Sequence, residues 1–122
     1  MPKLLHLAAS PSHNPGLLVT SGFLYKDPFP RLFSLATCKA AQFNLLTSLH
    51  KEYEPQGVHC AIVPVGGKVS DDAEVTNAAN VAEELWKLYS QPKGQGQLCV
   101  EMLDPEYAKH IKSRETMVAN TT

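Results

Sequence analysis

Apolar residues fall in three short runs and two longer helical patterns. The stretch LLVT (17–20) is bounded by SPSHNPG before it and by Ser21-Gly22 after it, and it reads as a buried strand. Residues 21–33 hold Gly22, Pro28 and Pro30, which forbid a regular helix and predict a loop. From Ser34 to Tyr53 there is no Pro or Gly, and Ser34 supplies an N-cap. Leu35, Cys38, Ala41, Leu45 and Leu49 recur at helical spacing, and Ala36, Ala40, Phe43 and Leu46 widen the stripe. That surface is wider than one sheet needs, so the helix is expected to be covered by its own sheet and by a second subunit or missing chain. VHCAIVPVGG (58–67) is the best strand in the chain, buried on both faces, with Pro64 near its end, where a lost ladder donor is tolerated. A polar loop, GGKVSDDAEVT, follows. Asn80 to Ser90 predicts a second helix, capped by Asn80 with Glu83 or from an earlier start at Thr76 or Asn77. Val81, Leu85, Leu88 and Tyr89 give its apolar face, with Trp86 beside it; Trp86 and Tyr89 read as core. QLCVEM (97–102) alternates Leu98, Val100 and Met102 and predicts a third strand. Residues 1–16 read as a helix tail and loop, and 103–122 as a charged tail with room for one more short helix.

Strands alternating with helices call for parallel pairing. The expected fold is α/β: one domain over 1–122, with about three parallel strands and two main helices in a Rossmann-like, doubly wound arrangement.

Composition narrows the functional classes. Apolar residues make up 43% of the 122, enough for a packed core, and the net charge of -1 argues against a nucleic-acid partner bound through its phosphates. No apolar run is long enough to span a membrane. The N-terminal apolar stretch is short and broken by His6, which speaks against a signal peptide, so a cytoplasmic location is expected. Cys38, Cys60 and Cys99 are single and odd in number, which reads as packing rather than disulfide or zinc chemistry. The five histidines show no metal-ligand spacing. Asp71, Asp72 and Glu74 read as a solvated acidic cluster, and no metal is expected.

LLVTSG followed by SLATCKAAQFNLLTSLHKEYEPQGVHCAIVPVGG resembles the second half of a short-chain dehydrogenase/reductase. The resemblance runs from about Leu17 to Met102. In that family a strand ends in a catalytic serine, a Tyr-x-x-x-Lys pair opens a long helix, and the next strand ends in Pro-Gly. The resemblance implies that Ser21 hydrogen-bonds a substrate oxygen and that Lys39 holds the nicotinamide ribose. Gly66 is the glycine kept from the Pro-Gly beside the cofactor. The tyrosine position carries Leu35, as in a subgroup lacking that residue. Hydride reduction of a carbonyl leaves negative charge on oxygen, and the tyrosine supplies the proton that quenches it. Leucine has none to give. Tyr25, on the loop after Ser21, is the alternative donor, with geometry as the deciding test.

The family's dinucleotide site needs a glycine-rich turn after its first strand. These 122 residues hold no such motif, and the family's first strands would precede Met1. The resemblance therefore implies a truncated oxidoreductase-type protein whose ancestral role is NAD- or NADP-linked redox of a small carbonyl or alcohol. The alternative is a non-redox derivative: a binding or assembly module, or a cofactor-independent catalyst in a small-molecule pathway. A small-molecule ligand and a homodimer through helix 34–53 are the expected partners.

Overall fold

The computed structural model describes residues 1–121. Strand β1 (Gly16–Ser21) pairs in parallel with β2 (His59–Gly66), in register from Gly16 opposite His59 to Ser21 opposite Pro64. Strand β3 (Met102–Leu103) pairs in parallel with the end of β2, giving the order β1-β2-β3. Four helices accompany them: α1 (Pro2–Ala8), α2 (Phe33–Tyr53), α3 (Ala78–Tyr89) and α4 (Pro105–Thr121). The fold is α/β with a three-stranded parallel sheet.

The uninterrupted apolar run of β2 is explained by cover on both faces. Cys60 and Ile62 pack with Val58 and with Leu46 of α2, joined by Leu4 and Leu5 of α1. The alternate residues Ala61 and Val63 pack with Leu88 of α3 and with Met102. Residues 58 and 60–63 of this central stretch are all fully buried.

The long helix divides its apolar surface. Ala36 and Leu46 are buried, and Phe43 packs against the α2-side core. Leu35, Cys38, Ala41 and Leu45 lie exposed on the stripe that the sequence placed first, and that stripe is available to the expected homodimer. Cys38 is thus no packing residue, whereas Cys60 is buried and Cys99 half-buried. Helix α2 begins at Phe33, after a 3-10 turn at Pro30–Leu32, with no side-chain cap, so Ser34 lies inside the first turn rather than capping it. In α3 the earlier start is the one found: Asn77 caps it, its Oδ1 accepting the Asn80 N–H at 2.9 Å. Leu88 alone in α3 is fully buried; Trp86 and Tyr89, read as core, are 66% and 45% exposed and lie against each other.

The third strand differs from its expected range of 97–102. Ile62 N–H donates to Leu98 O (2.8 Å), and Ile62 O accepts from Val100 N–H (3.2 Å), so pairing begins around Cys99. The next rung on that side of β2 falls to Pro64, which has no N–H. Pairing lapses and resumes at Met102–Leu103. Pro64 therefore acts inside the ladder rather than at its end, and it shortens β3. The described part of the charged tail, 103–121, is mostly helix: α4 starts after Asp104, whose Oδ1 accepts the Glu106 N–H at 3.0 Å. Residues 1–15 hold the two turns of α1 and then a loop, and Gly16, expected in that loop, already pairs in β1.

Candidate functional site

Ser21 closes β1. Side chains alternate along a strand, and Val19, two residues earlier, packs into the α2-side core, so Ser21 faces the same layer. Its Oγ is buried and has no hydrogen-bond partner. Lys39 stands one turn before Phe43 and two turns before Leu46, on the stripe of α2 that meets the sheet. It is half-buried, and its ammonium has no hydrogen-bond or ion-pair partner among the described residues. Ser21 Oγ and the Lys39 ammonium thus each lack a hydrogen-bond or ion-pair partner among the described residues, Ser21 at the end of β1 and Lys39 within α2. Leu35 is 46% exposed, one turn above Lys39, with no polar atom to offer.

Gln42, one turn below Lys39, has a buried Oε1 without a partner. A buried orphan polar atom costs about 1–3 kcal/mol unless something satisfies it. Sequence reasoning passed over Gln42; the signal was a polar residue beside the inward stripe of an otherwise apolar helix face.

Tyr25 is not positioned as an acid. Its ring stacks on Phe43 with centroids 4.3 Å apart, and its hydroxyl donates to Glu101 Oε1. Burial, reinforced by the neighbouring Glu101 carboxylate, pushes its phenol well above the usual tyrosine range. A proton donor for carbonyl chemistry near neutral pH needs the opposite shift. The Glu101 carboxyl is itself held below the ordinary glutamate range: burial opposes this, and hydrogen bonds from Lys26 and Tyr25 outweigh it.

Gly66 has a packing reason for its identity. A Cβ there would come within 2.8 Å of Leu103 Cδ1 and 3.0 Å of the Phe23 ring. The last turn of β2 is pressed between the loop after β1 and the third strand, and only glycine fits. The thiols of Cys60 and Cys99 are pushed up by burial, with Glu54 and Glu101 adding to it respectively, so neither is primed as a nucleophile.

Two grooves adjoin these elements. One of about 500 Å³ opens at the carboxyl ends of β2 and β3, where open α/β sheets bind ligands. It is lined by Asp72, Glu74, Asp104 and Glu106 against Lys68 and His110, an excess of negative charge that repels phosphates. The other, about 410 Å³, lies between residues 24–30 and α2, and its walls are apolar. Ser21 and Lys39 line neither of the two. Among the described residues no group of His, Cys, Asp and Glu is arranged to hold a metal ion, and no helix is long and apolar enough to cross a membrane. No family model, curated protein or solved structure matches this chain.

Proposed function

We propose that this chain is a non-redox derivative of the short-chain dehydrogenase/reductase scaffold. It binds a small oxygen-bearing ligand between β1 and α2, with Ser21 and Lys39 as the binding pair. One observation supports this reading: Ser21 Oγ is buried without a hydrogen-bond partner, and half-buried Lys39 of α2 has no hydrogen-bond or ion-pair partner among the described residues, while Leu35 stands at the tyrosine position of the resemblance. A lysine ammonium makes strong, charge-assisted hydrogen bonds to a carboxylate, and a serine hydroxyl adds a second donor. Binding needs only these two. Hydride reduction needs a proton donor and a dinucleotide, and the phenol on the loop after Ser21, Tyr25, is committed to Glu101. The carboxylate-lined groove at the ends of β2 and β3 is equally poor ground for a pyrophosphate. The redox reading, an NAD- or NADP-linked reductase, is favoured by the sequence resemblance from Leu17 to Met102 alone.

The test is a two-dimensional amide NMR titration with salicylate, which offers a carboxylate and a hydroxyl, and in parallel with NADPH. Salicylate is expected to shift amides at Ser21, Gly22 and residues 35–42, with binding weakened about tenfold or more in Lys39→Met. NADPH is expected to leave the spectrum unchanged. Salicylate shifts that map elsewhere, or that survive Lys39→Met undiminished, would overturn the assignment.

A further inference from the structure

We propose that residues 22–32 form a latched strap that gates the apolar groove beside α2, fastened by two carboxylate contacts to the C-terminal third of the chain. The strap leaves β1 at Ser21, makes 3-10 turns at Phe23–Tyr25 and Pro30–Leu32, and enters α2 at Phe33. Its root is pegged by Phe23, which is 3% exposed and meets Tyr107 of α4 edge-on at 5.8 Å.

The first latch is Glu101. Its Oε1 accepts from the Tyr25 hydroxyl and from Lys26 Nζ at 2.6 Å. The Lys26 ammonium also lies 4.9 Å above the Phe23 ring. The second latch is Asp27. Its Oδ2 accepts from Arg114 Nη2 at 2.8 Å and from the Tyr107 hydroxyl at 3.4 Å. Neighbouring residues of the strap, 26 and 27, are thus tied in opposite charge sense to separate segments.

The first half of the strap is packed as well as latched, since Tyr25 stacks on Phe43 of α2 with centroids 4.3 Å apart; after Asp27 the strap has little to hold it. Phe29 is 44% exposed and Leu32 45%, so residues 28–32 contribute little buried surface. Beneath lies the groove, walled by Leu24, Tyr25 and Phe29 from the strap and by Phe33, Ala36 and Ala40 from α2. These walls suit a compact uncharged apolar group. Ion pairs this exposed are individually weak and screened by salt. The exposed stretch 28–32, which follows the latches and is little packed, opens locally without unfolding the sheet. The latches therefore set how closely residues 28–30 lie over the groove, while Tyr25 stays stacked on Phe43.

Trypsin reports strap opening through cleavage after Arg31, with cleavage after the exposed Lys51 as internal reference. In the full chain, Arg31 cleavage relative to Lys51 is expected to rise about tenfold between about 0.05 M and about 1 M NaCl, as screening removes the latches. It is expected to rise similarly at low salt when Asp27→Asn and Glu101→Gln are combined. Asp27→Arg and Arg114→Asp should each speed it, and the two together should restore protection by exchanging the partners. Arg31 cleavage that ignores salt and these substitutions would overturn the latch. So would Arg31 and Lys51 rates rising in parallel, or no restoration in the exchanged pair.

Discussion

Replacing Ile62 by Ala is expected to lower the unfolding free energy by about 2–5 kcal/mol. For a chain of this length that corresponds to a fall in Tm of about 10–20 °C. Ile62 is fully buried and sits at the centre of β2. Its side chain packs in the α2-side cluster with Leu46, Val58 and Cys60. Its backbone pairs with β1 at Val19 on one side and with Leu98 and Val100 on the other. Truncation opens a cavity that close-packed neighbours on two layers fill only in part. Leu88→Ala probes the other layer, where Leu88 packs with Ala61, Val63 and Met102. It should cost a similar amount, and the two should add, because their clusters share no buried residue. Leu35→Ala, on the exposed stripe, should change stability by less than about 0.5 kcal/mol. Chemical denaturation of the three variants checks this. A small loss in either Ile62→Ala or Leu88→Ala would mean that the sheet is covered on one face only.

The second large effect is expected at Glu54. This side chain is 7% exposed, and its Oε1 accepts the Gly96 N–H at 2.6 Å. Oε2 is buried without a hydrogen bond and stands 3.7 Å from His50 Nδ1, which hydrogen-bonds Cys60 O. Beside it His59 Nε2 donates to Gln97 O at 2.8 Å, and Lys93 Nζ donates to the carbonyls of Ala8 and Ser10. The turn leading to β3 is therefore fastened from α2's end, from β2 and from the chain after α1. Gly96 is required at the contact, since a Cβ would lie 2.7 Å from Glu54 Oε1. Glu54→Ala leaves the part-buried Gly96 N–H without its acceptor and frees the turn, at a cost of about 1–3 kcal/mol. Glu54→Gln keeps a carbonyl oxygen for Gly96 and should recover at least half of that. The readout is the Gly96 amide exchange rate, which should rise steeply in Glu54→Ala and little in Glu54→Gln. Equal losses in the two variants would assign the effect to charge rather than to the acceptor.

The parts of the fold legible in the sequence are those where one period dominates. Helix α2 has twenty-one residues without Pro or Gly, and β2 has its unbroken apolar run. The start of α3 was legible only in part: Asn80 with Glu83 reads as a capping box, and Asn77, one of two earlier alternatives, is the cap found. What escaped was set by tertiary contacts. The alternation of Leu98, Val100 and Met102 predicts a full strand, but strand pairing also depends on the partner, and Pro64 withholds the rung. Trp86 and Tyr89 look like core by residue type, yet Leu88 alone in α3 reaches full burial. Helix α4 carries few apolar residues, and its anchors are Tyr107 and Arg114 acting on Asp27, far away in sequence. In the candidate site, Ser21 and Lys39 came from the resemblance of LLVTSG and SLATCKAA to a family pattern, and the unpartnered Ser21 Oγ came from the structure. The commitment of Tyr25 to Glu101 was not legible, because nothing in the sequence joins those positions.

The central claim is that the chain keeps the binding serine and lysine of a reductase-like site without its proton donor, so that it binds but does not reduce. The most direct measurement uses NADPH deuterated at the transferable position and a panel of aldehydes and ketones. Deuterium appearing in the alcohol products is read by mass spectrometry. The account predicts no deuterated alcohol above the protein-free background, from the natural chain or from Lys39→Met. Deuterated alcohol formed by the natural chain and lost in Lys39→Met would contradict it.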